Sequence, residues 1–130
     1  MTLQELNQHL ELLDRLAKAE EMVTALRDTA YLQSPILSDM PRTSGIKDKV
    51  GNLAAEIADM DARIAYFKSE ISKNESQIVN FIETIDNDQT RLIFRLRFLR
   101  GLAWKEVAAI IGGRNSEESV RMMCYRYLNG

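Results

Sequence analysis

The chain has 130 residues and a formal net charge of −2, with 45% hydrophobic and 28% charged residues, enough for one domain or for a small domain carrying a helical arm. No apolar run approaches the ~18 residues that span a bilayer, and the start MTLQELNQHL lacks a signal peptide's basic and apolar segments, so a cytoplasmic chain with no membrane partner is expected. One cysteine and one histidine, His9, exclude an internal disulfide and are too few for a His/Cys zinc site, so no metal and no cofactor is expected.

Residues 1–30 read as an N-terminal amphipathic helix. Leu3, Leu6, Leu10 and Leu13 form one stripe, and Leu12, Leu16, Ala19, Val23 and Leu26 form an adjacent one, giving a wide apolar face. Residues 31–45, YLQSPILSDMPRTSG, hold both prolines with three serines and a glycine; this linker breaks the helix and can reverse the chain.

Residues 46–86 carry the strongest periodicity. From Ile46 onward, Val50, Leu53, Ile57, Met60, Ile64, Phe67, Ile71, Asn74, Ile78, Phe81 and Ile85 follow at alternating spacings of four and three, a coiled-coil seam. At ~1.5 Å per residue the helix is roughly 60 Å long. Val50, Ile57, Ile64, Ile71, Ile78 and Ile85 are β-branched; the other set is mainly unbranched. That division favours two parallel strands, with Asn74 as a buried polar group that fixes register. Three pairings fit: a partner chain, an antiparallel hairpin with the N-terminal helix, or both within a larger bundle. The unbroken register favours a partner chain, and hence a homo-oligomer, a dimer or tetramer, joined through the seam.

Residues 87–130 read as three short helices. In DQTRLIFRLRFLR, Leu92, Leu96 and Leu99 lie almost opposite Phe94 and Phe98, so this helix is to be covered on two sides. In GLAWKEVAAIIGG, Trp104, Val107, Ala108 and Ile111 form one stripe about two turns long, with Lys105, Glu106 and Ala109 on the other side, ended by Gly112 and Gly113. Asn115 and Ser116 can cap a further helix whose first turn holds Glu117 and Glu118, and whose packed face is Val120, Cys124, Tyr127 and Leu128. Helix, glycine turn, helix is the helix-turn-helix pattern.

Charge separates the two parts. Residues 1–86 hold nine Lys and Arg against fifteen Asp and Glu, net −6, whereas residues 87–130 hold eight against four, net +4. A basic module on an otherwise acidic chain is the footprint of phosphate contact, so the expected ligand is double-stranded DNA. The candidate DNA-binding residues are Arg114 and Asn115 in the turn, then Glu118, Ser119, Arg121, Met122, Tyr125 and Arg126, with Glu118, Met122, Tyr125 and Arg126 placed opposite the packed face. Cys124 and Trp104 are expected to be packing residues. No nucleophile with a base, phosphate-cradling loop or reactive carboxylate pair is present in the sequence, so no enzyme is expected.

The segment RLIFRLRFLRGLAWKEVAAIIGGRNSEESVRMMCYRYL resembles the helix-turn-helix of region 4 of sigma factors. With DMPR in the linker and the long helix before RFLRGLAWKEVA, residues 20 to 130 resemble the ArpU/RinA-like regulators of phage and prophage, with Arg97, Gly101, Trp104, Ile110 and Gly112 at the positions of that pattern. The elements read above make an all-α fold in which a long coiled-coil helix and an N-terminal helix precede a C-terminal helix-turn-helix. The resemblance implies DNA binding at phage promoters and control of late or lysis genes. Glu117 and Glu118 depart from a phosphate-gripping helix start. A phage small-terminase-like packaging component and a sigma-like adaptor docking on RNA polymerase are the alternatives.

Overall fold

Thr2 starts the first helix by accepting the Glu5 N–H on its hydroxyl at 3.2 Å, the capping contact that an N-terminal hydroxyl residue provides. In the computed structural model, which describes residues 1–32 and 52–130, every regular element is helical, and the fold is all-α. Helix α1 is Leu3–Leu32, α2 is Ala54–Glu83, α3 is Asp88–Phe94 extended by a π turn Arg95–Leu99, α4 is Trp104–Ile111 and α5 is Glu117–Asn129. Residues 33–45 of the expected linker, and Ile46 and Val50 of the seam, lie outside the described residues. Among the described residues no helix is long and apolar enough to cross a membrane.

The residues form two compact units, and the division falls inside the long helices. The first comprises the described residues of Asp14–Ser69, the distal parts of α1 and α2. Arg27 pairs with Asp61, and the Arg15 guanidinium lies 4.9 Å from the centre of the Phe67 ring, so α1 and α2 run antiparallel here. The seam is thus faced by α1 of the same chain, the hairpin arrangement. Heptad spacing registers only that a second helix lies alongside, not which chain supplies it, so the unbroken register that favoured a partner chain is met here by α1 of the same chain. Cover is thin: among the described residues of this unit only Ala19, Val23 and Phe67 are buried apolar side chains, while Leu53, Ile57, Met60 and Ile64 are half-buried.

The second unit comprises Met1–Leu13 and Glu70–Gly130. Here Leu6 of α1 and Ile78, Ile82 and Ile85 at the end of α2 close over Ile93, Phe94 and Phe98 of α3, with Val107, Val120 and Cys124 completing the core. Ile93, Phe94 and Phe98 are fully buried, which at roughly 1.5–3 kcal/mol per large apolar side chain makes α3 the centre of the unit's stability. Rings link the elements, with Phe81 and Phe94 centred 5.8 Å apart and Phe94 and Tyr127 5.6 Å apart. The helix is covered from both sides as its composition demands, although Leu92 remains 41% exposed.

Burial at this end does not follow the seam alone. Ile82, which is outside the seam, is fully buried in the cluster with Leu6 and Phe94, while the seam residue Phe81 is only half-buried. Asn74 is half-buried. His9 is buried on α1, and its Nδ1 has no hydrogen-bond partner. Desolvation lowers its pKa, partly countered by the nearby Glu75 carboxylate.

Candidate nucleic-acid interface

The α4–α5 segment is built from its ends inward. Asn87 caps α3 by accepting the Thr90 N–H at 2.9 Å. At the other end of that helix, the π turn closes with the Arg100 N–H donating to the Arg95 carbonyl, and the Leu102 N–H donating to that of Leu96, both at 3.1 Å. Gly101 takes φ +70° to make this closure. The chain re-enters helix at Trp104, where the Glu106 carboxylate accepts the Ala103 N–H at 3.1 Å.

α4 ends where the glycine pair begins. Gly112 has φ 73° and ψ −160°, a region that glycine alone occupies readily, and Gly113 has φ 66°. The Gly112 N–H donates to the Ala108 carbonyl at 2.9 Å, while the Gly112 carbonyl accepts the Asn115 side-chain amide at 3.1 Å. Ser116 caps α5 by accepting the Ser119 N–H at 3.1 Å, and the Ser119 hydroxyl donates to Asn115 Oδ1 at 3.3 Å. Asn115 and Ser119 are therefore committed to holding the turn, with Ser116 as the cap.

α5 then presents two faces. Val120 and Cys124 are fully buried, and burial pushes the Cys124 thiol up to about 12, against the opposing pull of Arg97, so it stays a neutral packing group. On the opposite side Glu118, Met122 and Arg126 are exposed, Met122 at 39%, and Arg121 is half-buried at the edge. Tyr125 differs from its expected place. It does not stand free: it is half-buried, its ring edge-on to Trp104 at 6.3 Å. Tyr127, expected in the core, is 39% exposed while its ring still packs on Phe81 and Phe94. A helical projection treats both tyrosines as points, whereas a long aromatic side chain reaches sideways to whichever ring stands nearest. Trp104 is that ring for Tyr125.

Among the described residues, ion pairs occupy only part of the basic segment. Arg91 pairs with Asp88, and Arg95 pairs with Glu83 at 3.2 Å. Arg97 is turned inward, donating to the Leu102 carbonyl at 2.9 Å beneath the indole of Trp104. Arg100, Lys105, Arg114, Arg121 and Arg126 have no ion-pair partner among the described residues, and all but Arg121 are exposed. Arg100 and Lys105 were not singled out by helical patterning. The local charge balance is the signal that points to them, since neither belongs to a stripe.

Arg114 in the turn and Met122 and Arg126 on α5 are thus exposed and uncommitted among the described residues, with Glu118 also exposed and Arg121 half-buried. Asn115, Ser119 and Tyr125 are committed to internal contacts. Compared with known proteins, the chain matches no family model, no curated protein and no solved structure.

Proposed function

We propose that the chain is a DNA-binding transcription regulator in which α4 and α5 form a helix-turn-helix and α5 lies in the major groove of double-stranded DNA. The observation that carries this reading is the pairing of two faces on one capped helix. One face is locked to the core by Val120 and Cys124; the other offers Met122 and Arg126, and Arg114 is exposed in the turn that precedes the helix. Arginine at the turn grips phosphate through charge, whereas an arginine and an apolar side chain on the exposed face can read a guanine edge and a thymine methyl. Glu117 and Glu118 at the helix start discourage phosphate there and leave Glu118 to accept from cytosine N4.

The reading places the protein in the cytoplasm as an oligomer with two readers, since one such module has a small footprint and two tethered copies raise affinity at physiological salt. Membership of the ArpU/RinA-like phage and prophage regulators, and control of late or lysis genes, rest on the sequence resemblance. Selection of binding fragments from a random duplex library, followed by titration of the selected and scrambled duplexes at several salt concentrations, tests the function. A regulator prefers its selected site by roughly 10³-fold or more and loses affinity steeply with salt. Equal affinity for both duplexes overturns sequence reading and favours the packaging alternative; no salt-dependent binding to either favours an adaptor that docks on RNA polymerase or another protein.

A further inference from the structure

The unit formed by the distal parts of α1 and α2 has an open apolar groove. One part, of about 320 Å³, is floored by Ala19, Met22, Met60 and Phe67 and rimmed by Arg15, Lys18 and Arg63. The adjoining part, of about 510 Å³, shares Met22 and Met60, continues over Leu26 and Leu53 and is rimmed by Glu56 and Asp59. Met22 is 53% exposed at the junction. Leu53 and Met60, alternate positions of the heptad seam, are only half-buried along this groove, while Phe67 and Ala19 are buried at its floor.

Two observations identify what covers it. A two-helix layer has a single interface and buries little, as the short list of buried side chains in this unit shows, and a second layer is the ordinary remedy. The rims also carry opposite signs at opposite ends, Arg15 and Lys18 at one, Glu56 and Asp59 at the other, with two methionines between. A surface that is basic at one end and acidic at the other complements itself when a copy is rotated by a two-fold axis through its middle. The existing pairs Lys18 with Asp14 and Arg63 with Asp59 are exposed contacts one helical turn apart, which cost little to exchange.

We propose that this groove is the dimer interface: a second copy of the chain packs its hairpin antiparallel onto the first, in a four-helix bundle centred on Met22 and Met60, with Arg63 of each copy near Glu56 of the other. The interface deepens the proposed function by naming the surface that joins two readers, and rests on that reading only for its purpose. It differs from a parallel coiled coil, in which like positions would meet.

Sedimentation of the full chain without DNA tests it. The wild type is expected to be a dimer at micromolar concentration. Met22→Lys, at a position exposed in the single chain, should leave helicity intact and weaken the dimer by at least about tenfold. Arg63→Glu and Glu56→Arg should each weaken it by roughly tenfold, because symmetry repeats each change. An equimolar mixture of these two single variants should dimerise again, since in the heterodimer every Arg meets a Glu across the interface; the double variant Arg63→Glu/Glu56→Arg should do so alone. A monomeric wild type, a dimer indifferent to Met22→Lys, or a mixture no tighter than its components overturns the proposal. If Met22→Lys fails to fold, the charge exchange decides alone. A dimer that responds as expected but binds no DNA would retain this interface while removing the proposed function.

Discussion

The Arg97 guanidinium lies 4.8 Å from the centre of the Trp104 ring while its Nη1 donates to the Leu102 carbonyl at 2.9 Å. One side chain thus ties the end of the π turn to the first residue of α4. Trp104 in turn meets Phe98 at 6.3 Å and Tyr125 of α5 at 6.3 Å, so the orientation of the helix pair passes through this contact. Arg97 is a cation of the basic segment that serves the fold and not the surface.

Replacement of Arg97 by alanine removes a cation–π contact and a charged hydrogen bond, and should lower stability by about 1–3 kcal/mol. Lysine should restore little, because it lacks the planar donor fork. Denaturant unfolding gives the stability, and DNA titration gives the salt slope. The slope should not change, since the group does not touch phosphate; a shallower slope would place Arg97 on the DNA instead.

Gly112→Val places a β-branched residue at φ 73°. A Cβ there meets only the Ile110 carbonyl oxygen, at 4.0 Å, so the cost is backbone strain and not collision. A loss of about 1–3 kcal/mol is expected. Gly112→Ala should lose nearly as much, which distinguishes strain from crowding; a harmless alanine would show that the turn relaxes freely.

His9 supplies a pH dependence. Burial lowers its folded pKa below the unfolded value of about 6.5, so the neutral ring stabilises the fold above that pH. As pH falls through 6.5 toward the folded value, the unfolded chain takes up a proton that the folded chain resists, and stability declines. His9→Met, an apolar replacement of similar reach, should flatten that decline as pH falls below about 6.5. Thermal unfolding of both proteins across the window checks it; parallel curves would remove His9 as the cause.

The core of the C-terminal unit was legible where a stripe and its punctuation agreed. Trp104 to Ile111 forms the helix that its apolar spacing and the glycine pair announce, and Ser116 caps α5 as its position suggests. What escaped was whatever depends on contacts distant in sequence. The burial of Ile82 follows from α3 crossing the end of α2, the burial of His9 from α1 reaching the C-terminal unit, and the half-burial of Tyr125 from the Trp104 ring. The π turn also leaves no mark in RLRFL, whose composition suits an α-helix equally well. At the candidate site, the exposed Met122 and Arg126 were readable from the helical projection, whereas the commitment of Asn115 and Ser119 to the turn needed the backbone geometry of Gly112.

That division of labour among the α5 residues fixes the last expectation. Arg114 is exposed in the turn and charged, so Arg114→Ala should weaken binding to every duplex alike and make the salt slope shallower by about one unit. Met122 is exposed and uncharged, so Met122→Ala should leave the slope unchanged and weaken the selected site alone, by about 1 kcal/mol. Arg126→Ala should do both if it bridges a base edge, and only the first if it holds phosphate. Tyr125→Ala belongs to a different class: by emptying the space against Trp104 it should lower stability first and affinity only as a consequence, whereas Tyr125→Phe, which keeps the ring, should preserve both. Titrations of the five variants on selected and scrambled duplexes, each with a melting curve, separate these effects. Loss of discrimination in a fully stable Tyr125→Phe protein would return that hydroxyl to the DNA, and indifference of all four positions would remove α5 from the groove.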